Sequence, residues 1–389
     1  MRGFEGDVWS NILWFLLFMF FFSAVYPKLL LYQVLFKLEE CAQKLEGLTE
    51  RAKKSILGKV KGRKKEEKKI SRFLEFSTIY PIDLDPYGIV KKLEHISELS
   101  KKKFLEFSRE LGVKLNEEEK ANVAMGLAGA IYLNHLKKIV RHYVELVKKT
   151  KNFQLGIAFQ AQLPLVEELS LALLEGTKAL LNGIPIGDSI GPLVAAHLID
   201  GSKVERVDEE TVLAKRKIKG KTVWIVKARG PGSRLGRIGR LVEKLVKKKK
   251  IGRIITIDAG VKYEGEITGT VVEGVGVAIG GIGVDRAYVE EIATKKKIPL
   301  EFILIKMSST EAIQPMKKEI LAATPRVLEI LSEKIARAKE KNILVVGVGN
   351  TCGIGNDETS AIEAEKKVKD FWKKKKPKKI FSLFGWKLK

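Results

Sequence analysis

RIITIDAG, residues Arg253–Gly260, is the stretch that decides the fold. Its apolar run reads as a strand inside a sheet, and Asp258 stands where that strand ends, followed by the small Ala259 and by Gly260. In an open α/β sheet the carboxyl ends of the strands form the functional edge, so this aspartate emerges where a ligand would sit. Further strands are predicted at Thr222–Ala228, Gly269–Ile279, Leu300–Lys306 and Asn342–Val348. Helices predicted at Ser233–Lys250, Asp285–Lys297 and Pro315–Lys341 lie between most of them. The alternation predicts an α/β domain over residues 183–365, with a mainly parallel sheet and helices on both faces.

Three other segments could meet Asp258 at that edge. LNGIPIGDSIGPLVAAHLID (Leu181–Asp200) puts Asp188 between two glycines where a helix begins, so it either caps that helix or does chemistry. NILVVGVGNTCGIGND (Asn342–Asp357) ends a buried strand in Gly347, Gly349 and Asn350, which let backbone amides approach a partner closely. KTVWIVKARGPGSRLGRIGRLVEKL (Lys221–Leu245) reads strand, glycine-rich turn, basic helix, the makings of an anion site at Gly230, Gly232 and Gly236. Their spacing, GxGxxxG, is one residue longer than the dinucleotide fingerprint, and helix-to-strand packing explains the same glycines. Cys352 has no identifiable activator and reads as a bystander thiol. His135 and His142 lack a third ligand at a telling distance, and His197 leaves its helix on the face opposite Asp188, so no metal or cofactor is specified.

The 389 residues carry a net charge of +25, which attracts anionic partners, either acidic lipid headgroups or nucleic acid. Only Cys41 and Cys352 are present, which excludes a disulfide framework and a cysteine-rich zinc site. Val8–Tyr26 holds no charged residue and is long enough to cross a bilayer, so residues 1–27 read as a membrane anchor, with a secretory signal as the rival. Lys28, Lys37, Lys44, Arg51, Lys53 and Lys54 follow the span and only Arg2 precedes it, which predicts a single-pass protein with its bulk in the cytoplasm.

Residues 28–70 read as an amphipathic helix and a basic linker. Leu31, Val34, Leu38, Cys41, Leu45 and Leu48 form a stripe suited to pairing, including with a second copy. Residues 71–182 read as a helical module in which Pro86 opens one helix, Asn116 caps the next and Pro164 opens a third. The tail, 366–389, mixes lysine clusters with Phe371, Trp372, Phe381, Phe384 and Trp386, suited to an anionic leaflet and less so to single-stranded nucleic acid.

GDSIGPLV, PGSRLGRIGRLVEKL, RIITIDAG and GVGVAIGGIGVDRAYVEEIATKKKIPLEFILIKMS follow one another in an order that resembles the spore-germination proteases and their relatives, the hydrogenase-maturation peptidases. The resemblance covers roughly Gly183–Asn350 and implies that Asp188 and Asp258 are the catalytic carboxylates of a hydrolase acting on a protein substrate. In those families a GxGN strand runs directly into the loop with the first aspartate, whereas here GVGN arrives last. A circular permutation would rebuild the arrangement if the closing strand slots beside the one ending in Asp258. A metal-assisted version, as in the maturation peptidases, would need a third ligand, for which Glu264, Glu266 and Asp285 are candidates. The whole chain also resembles an archaeal family catalogued only as a domain of unknown function. The alternatives to a hydrolase are a non-catalytic membrane scaffold and an anion- or nucleotide-binding protein on the same fold.

Overall fold

The computed structural model describes residues 4–81, 88–281 and 283–375. Pro86 and the tail aromatics Phe381, Phe384 and Trp386 lie outside the described residues. The chain divides into two compact units, 1–76 with 127–174 and 77–126 with 175–389.

The first unit begins with helix α1 (Phe4–Phe20), a π-turn at Phe21–Val25 and helix α2 (Tyr26–Val60). The wider π-turn carries the helix up to Pro27, which lacks the N–H that a regular turn would use. Trp9–Val60 contains an apolar window long enough to cross a membrane, none of it buried, with Trp9 and Trp14 more than two-thirds exposed. Helix α3 (Lys64–Phe73) replaces the expected solvated linker, because Ile70 supplies a buried anchor amid its charges.

Helices α4 (Ile89–Leu111), α5 (Glu117–Thr150) and α6 (Phe153–Leu181) follow, and the boundary between the two units passes through α5 and again through α6. Asn116 caps α5 by accepting the Glu119 amide proton at 2.9 Å, as predicted. Pro164 does not open a helix; it lies inside α6, whose start is set earlier by Asn152 accepting the Leu155 amide proton at 3.0 Å. Val34, Leu38, Cys41 and Leu45 of α2 pack against Val140, Val144 and Val147 of α5 and Leu163 of α6. The stripe expected to serve a second copy is thus covered from within the chain.

The second unit holds one seven-stranded sheet and the helices α7 (Ile190–Ile199), α8 (Ile238–Lys249), α9 (Val284–Lys296), α10 (Ser309–Ile313), α11 (Lys318–Ala322), α12 (Thr324–Arg337) and α13 (Glu358–Lys374). The strands are β1 (Val204–Arg206), β2 (Thr211–Ile218), β3 (Lys221–Ala228), β4 (Arg253–Val261), β5 (Val271–Val275), β6 (Leu300–Met307) and β7 (Asn342–Gly347). Their order is β1-β2-β3-β7-β4-β6-β5. The sheet is mixed rather than mainly parallel: β3, β7, β4 and β6 run parallel, while β1, β2 and β5 join antiparallel.

One antiparallel pair is a hairpin hidden in lysine-rich sequence. β2 and β3 are joined through Lys219 and Gly220, both at positive φ (47° and 76°), the conformation a two-residue hairpin turn demands. Helices cover both faces. Ile255, Ile257, Ile343 and Val345 pack beneath α7, α12 and α13, while Ile254, Leu344 and Val346 pack beneath α8 and α9. The predicted helix Pro315–Lys341 is broken into α11 and α12, and the tail enters the fold through Trp372, whose indole N–H donates to the Met316 carbonyl at 2.7 Å.

Candidate functional site at the carboxyl edge of the sheet

β7 lies between β3 and β4, with Gly347 in register with Lys227 on one side and Ile257 on the other. The last strand in sequence therefore delivers GVGN beside Asp258, the strand placement expected from the sequence. The Val348 amide continues the ladder by donating to the Ile257 carbonyl at 2.9 Å. Gly349, at φ 125°, turns the chain so closely past Asp188 that a Cβ there would collide with the Asp188 carbonyl. The next amide, Asn350 N–H, donates to the Asp188 carboxylate at 2.8 Å.

The loop bearing Asp188 is held from two sides. Gly187 N–H donates to the Gln314 carbonyl at 3.0 Å, and Ile186 bridges Pro315. Gly191, in the first turn of α7, lies against the strand ends, where an added Cβ would stand 2.5 Å from the Ile257 carbonyl oxygen and collide with that of Val348. Gly191→Ala is expected to cost about 3 kcal/mol or more, since backbone cannot rotate away as a side chain can. Thermal unfolding checks this, and an unchanged melting temperature would contradict the close packing.

Asp258 is buried, at 4% exposure, and Asp188 is mostly buried. Asp258 accepts the Ala259 amide proton at 2.7 Å and the Gly280 amide proton at 3.2 Å. Burial raises the pKa of Asp188 above the usual carboxylate range, offset in part by the Asn350 hydrogen bond. Burial, then the negative charge of Asp188, push Asp258 well above that range despite its two backbone donors. Both acids are thus raised by burial, and the charge of Asp188 reaches the Asp258 carboxyl.

The remaining predicted residues have other partners. In the glycine turn, Gly230 N–H donates to Asn356 Oδ1 at 2.9 Å, Gly232 N–H to Glu118 Oε2 at 2.8 Å and Ser233 N–H to Asn122 Oδ1 at 2.8 Å. The amides expected to receive an outside anion are engaged within the chain, and the negative charge there is Glu118, which also binds Arg229 and Arg234. Gly236, at φ 78°, packs against Ala228 as a turn residue. Glu118→Gln is expected to lower stability by about 1–3 kcal/mol, because two partly buried guanidinium groups lose their counter-charge. Chemical denaturation at neutral pH measures it.

Asp285 accepts the Gly239 amide proton at 2.6 Å and so caps α8, Glu266 closes the turn at Tyr263, and Glu264 is exposed. None of them joins the aspartates, and the described residues contain no metal-sized cluster of three His, Cys, Asp or Glu. Cys352 is buried, and burial pushes its thiol up to about 12. His197 pairs with Glu365 at 2.9 Å. A surface cleft lined by Arg253, Glu273, Glu301 and Lys334 lies at the opposite, amino edge of the parallel strands, and its charges are spent on one another.

Sequence reasoning missed Lys227, which is fully buried at the end of β3. Its ammonium donates to the Ala228 carbonyl at 2.9 Å and to Asn356 Oδ1 at 3.0 Å, with no carboxylate within ion-pair distance among the described residues. Burial lowers its pKa to about 7. A lone lysine in the apolar run VWIVKA was the available signal.

Comparison with known families finds matches over most of the chain. Residues 12–183 match the family described as "Protein of unknown function (DUF1512) N-terminal domain" and residues 186–355 match "Domain of unknown function (DUF1512) C-terminal". No curated protein and no solved structure matches the chain. With the two halves of one family matched in order, the chain belongs to the DUF1512 family.

Proposed function

We propose that this protein is a membrane-tethered hydrolase in which Asp188 and Asp258 act as a pair on an amide bond. The observation that carries this reading is the pair itself: two carboxyl groups that burial holds above their usual range, one raised further by the charge of the other. Such a pair holds one proton where two ordinary surface aspartates would hold none. The ionised carboxylate takes a proton from water as its oxygen attacks the carbonyl carbon. The protonated carboxyl gives its proton to the carbonyl oxygen, and the tetrahedral intermediate collapses as the amine leaves with a proton returned from the pair. The Asn350 and Gly280 amides hold the carboxylates in place during these transfers.

The likeness of the motifs to the spore-germination proteases favours a peptide bond as substrate. The exposed apolar stretch after Trp9 favours a single membrane span, and the basic residues from Lys28 to Lys54 favour a cytoplasmic body. Wild type, Asp188→Asn and Asp258→Asn, each reconstituted in vesicles, are compared for cleavage of membrane-fraction proteins. Loss of cleavage in both variants is expected. Equal cleavage by all three would exclude the pair as the catalyst and leave the scaffold reading.

A further inference from the structure

The amino edge of the sheet, opposite the aspartates, gathers lysines from elements far apart in sequence. Lys215, Lys217 and Lys219 come from the β2–β3 hairpin, and Lys248, Lys249 and Lys250 from the end of α8. All six are exposed. Ring and backbone contacts bring the two groups together. Lys215 and Lys249 both stand over the Trp224 ring, each 5.2 Å from its centroid. Thr222 N–H donates to the Lys341 carbonyl at 2.8 Å, and Gly252 N–H to the Asn342 carbonyl at 2.9 Å, which ties the hairpin and the α8–β4 connection to one strand end.

These charges differ from those of the neighbouring cleft. Arg253, Glu301 and Lys334 neutralise one another, whereas Lys217, Lys219, Lys248 and Lys250 form no ion pair among the described residues. Helix polarity accounts for cations in the last turn of α8. It does not account for the backbone beneath them. Lys219 and Lys250 sit at φ 47° and 48°, in the left-handed region where glycine or asparagine fits without strain. Lys297, at the end of α9, repeats the choice at φ 53°. At these three turns a lysine stands where glycine would fit without strain.

We infer that this lysine face docks on an anionic lipid bilayer, so that the carboxyl edge with its aspartates is turned away from the headgroups. The inference rests on the membrane tether proposed above, which holds the face at high effective concentration near the leaflet. Nucleic acid fits less well. The Trp224 ring is partly buried against the core and has the Lys215 and Lys249 ammonium groups each 5.2 Å from its centroid, which leaves less of it for a base to stack on.

The test uses the full chain in nanodiscs of phosphatidylcholine alone or mixed with phosphatidylglycerol, with acylation of each lysine followed by mass spectrometry. Lys217, Lys219, Lys248 and Lys250 are expected to react about fivefold more slowly in the anionic discs, with the difference abolished at high salt. Equal rates in both discs would overturn the docking face while leaving the tether intact. Stronger protection by single-stranded RNA than by anionic lipid would overturn it in favour of nucleic acid. Failure of the chain to enter either disc would remove the tether and this inference with it.

Discussion

Asp188→Asn is expected to yield a protein that is inert and yet more stable at neutral pH than the wild type. The carboxylate accepts one backbone hydrogen bond, from Asn350 at 2.8 Å, which an asparagine oxygen can accept equally well. What the substitution removes is a negative charge pressed against Asp258. A carboxyl whose folded pKa is raised contributes stability that is whole below its unfolded value and is lost as pH rises through the folded value. The wild type therefore carries the cost of the pair at neutral pH, and the variant escapes part of it. The gain is expected to be about 1 kcal/mol, the scale of a relieved functional site. Hydrolysis should fall by about 10²–10⁴, the contribution of a positioned proton-transfer group. Denaturation at pH 5 and pH 7 and a cleavage assay read both effects, and a variant destabilised at pH 7 would show that the two acids do not strain one another.

Lys227→Met gives the second large effect. The folded lysine has a pKa of about 7 against 10.5 for the ordinary group. Between these values the unfolded chain binds a proton that the folded chain releases, so stability rises with pH across the window and is flat below it. At roughly 1.4 kcal/mol per pH unit, the wild type should gain on the order of 4–5 kcal/mol between pH 7 and pH 10.5 from this residue. Methionine carries no proton, so this contribution to the slope should be missing from the variant, which should also be the more stable of the two below pH 7. Asn356 Oδ1 keeps its bond to Gly230 N–H, so the loop retains an anchor. Urea melts at several pH values measure the slope, and parallel curves for both proteins would show that the ammonium is hydrated rather than buried.

The central strands were legible because their patterning is strong: IITID, ILVVG and VWIVKA each hold a run of buried apolar residues. β2 was not, because its outer half, Lys215–Ile218, alternates exposed cations with partly covered groups and resembles a solvated run. The same misreading turned α3 into a linker. Asp188 and Asp258 could be named from local context, a glycine-flanked helix start and a strand end. Their meeting depended on β7 entering between β3 and β4, a long-range pairing that no local pattern encodes. The glycine turn misled for a related reason. Its amides look free in sequence, but Glu118 and Asn122, more than a hundred residues earlier, occupy them.

The most direct test is the titration of the Asp258 carboxyl, followed by pH-difference infrared spectroscopy with isotope-edited aspartate, in the wild type and in Asp188→Asn. Two acids sharing one proton require that the Asp258 signal stay protonated above the ordinary carboxylate range in the wild type and move to lower pH once the neighbouring charge is gone. An Asp258 that titrates at the same pH in both proteins would contradict the pair.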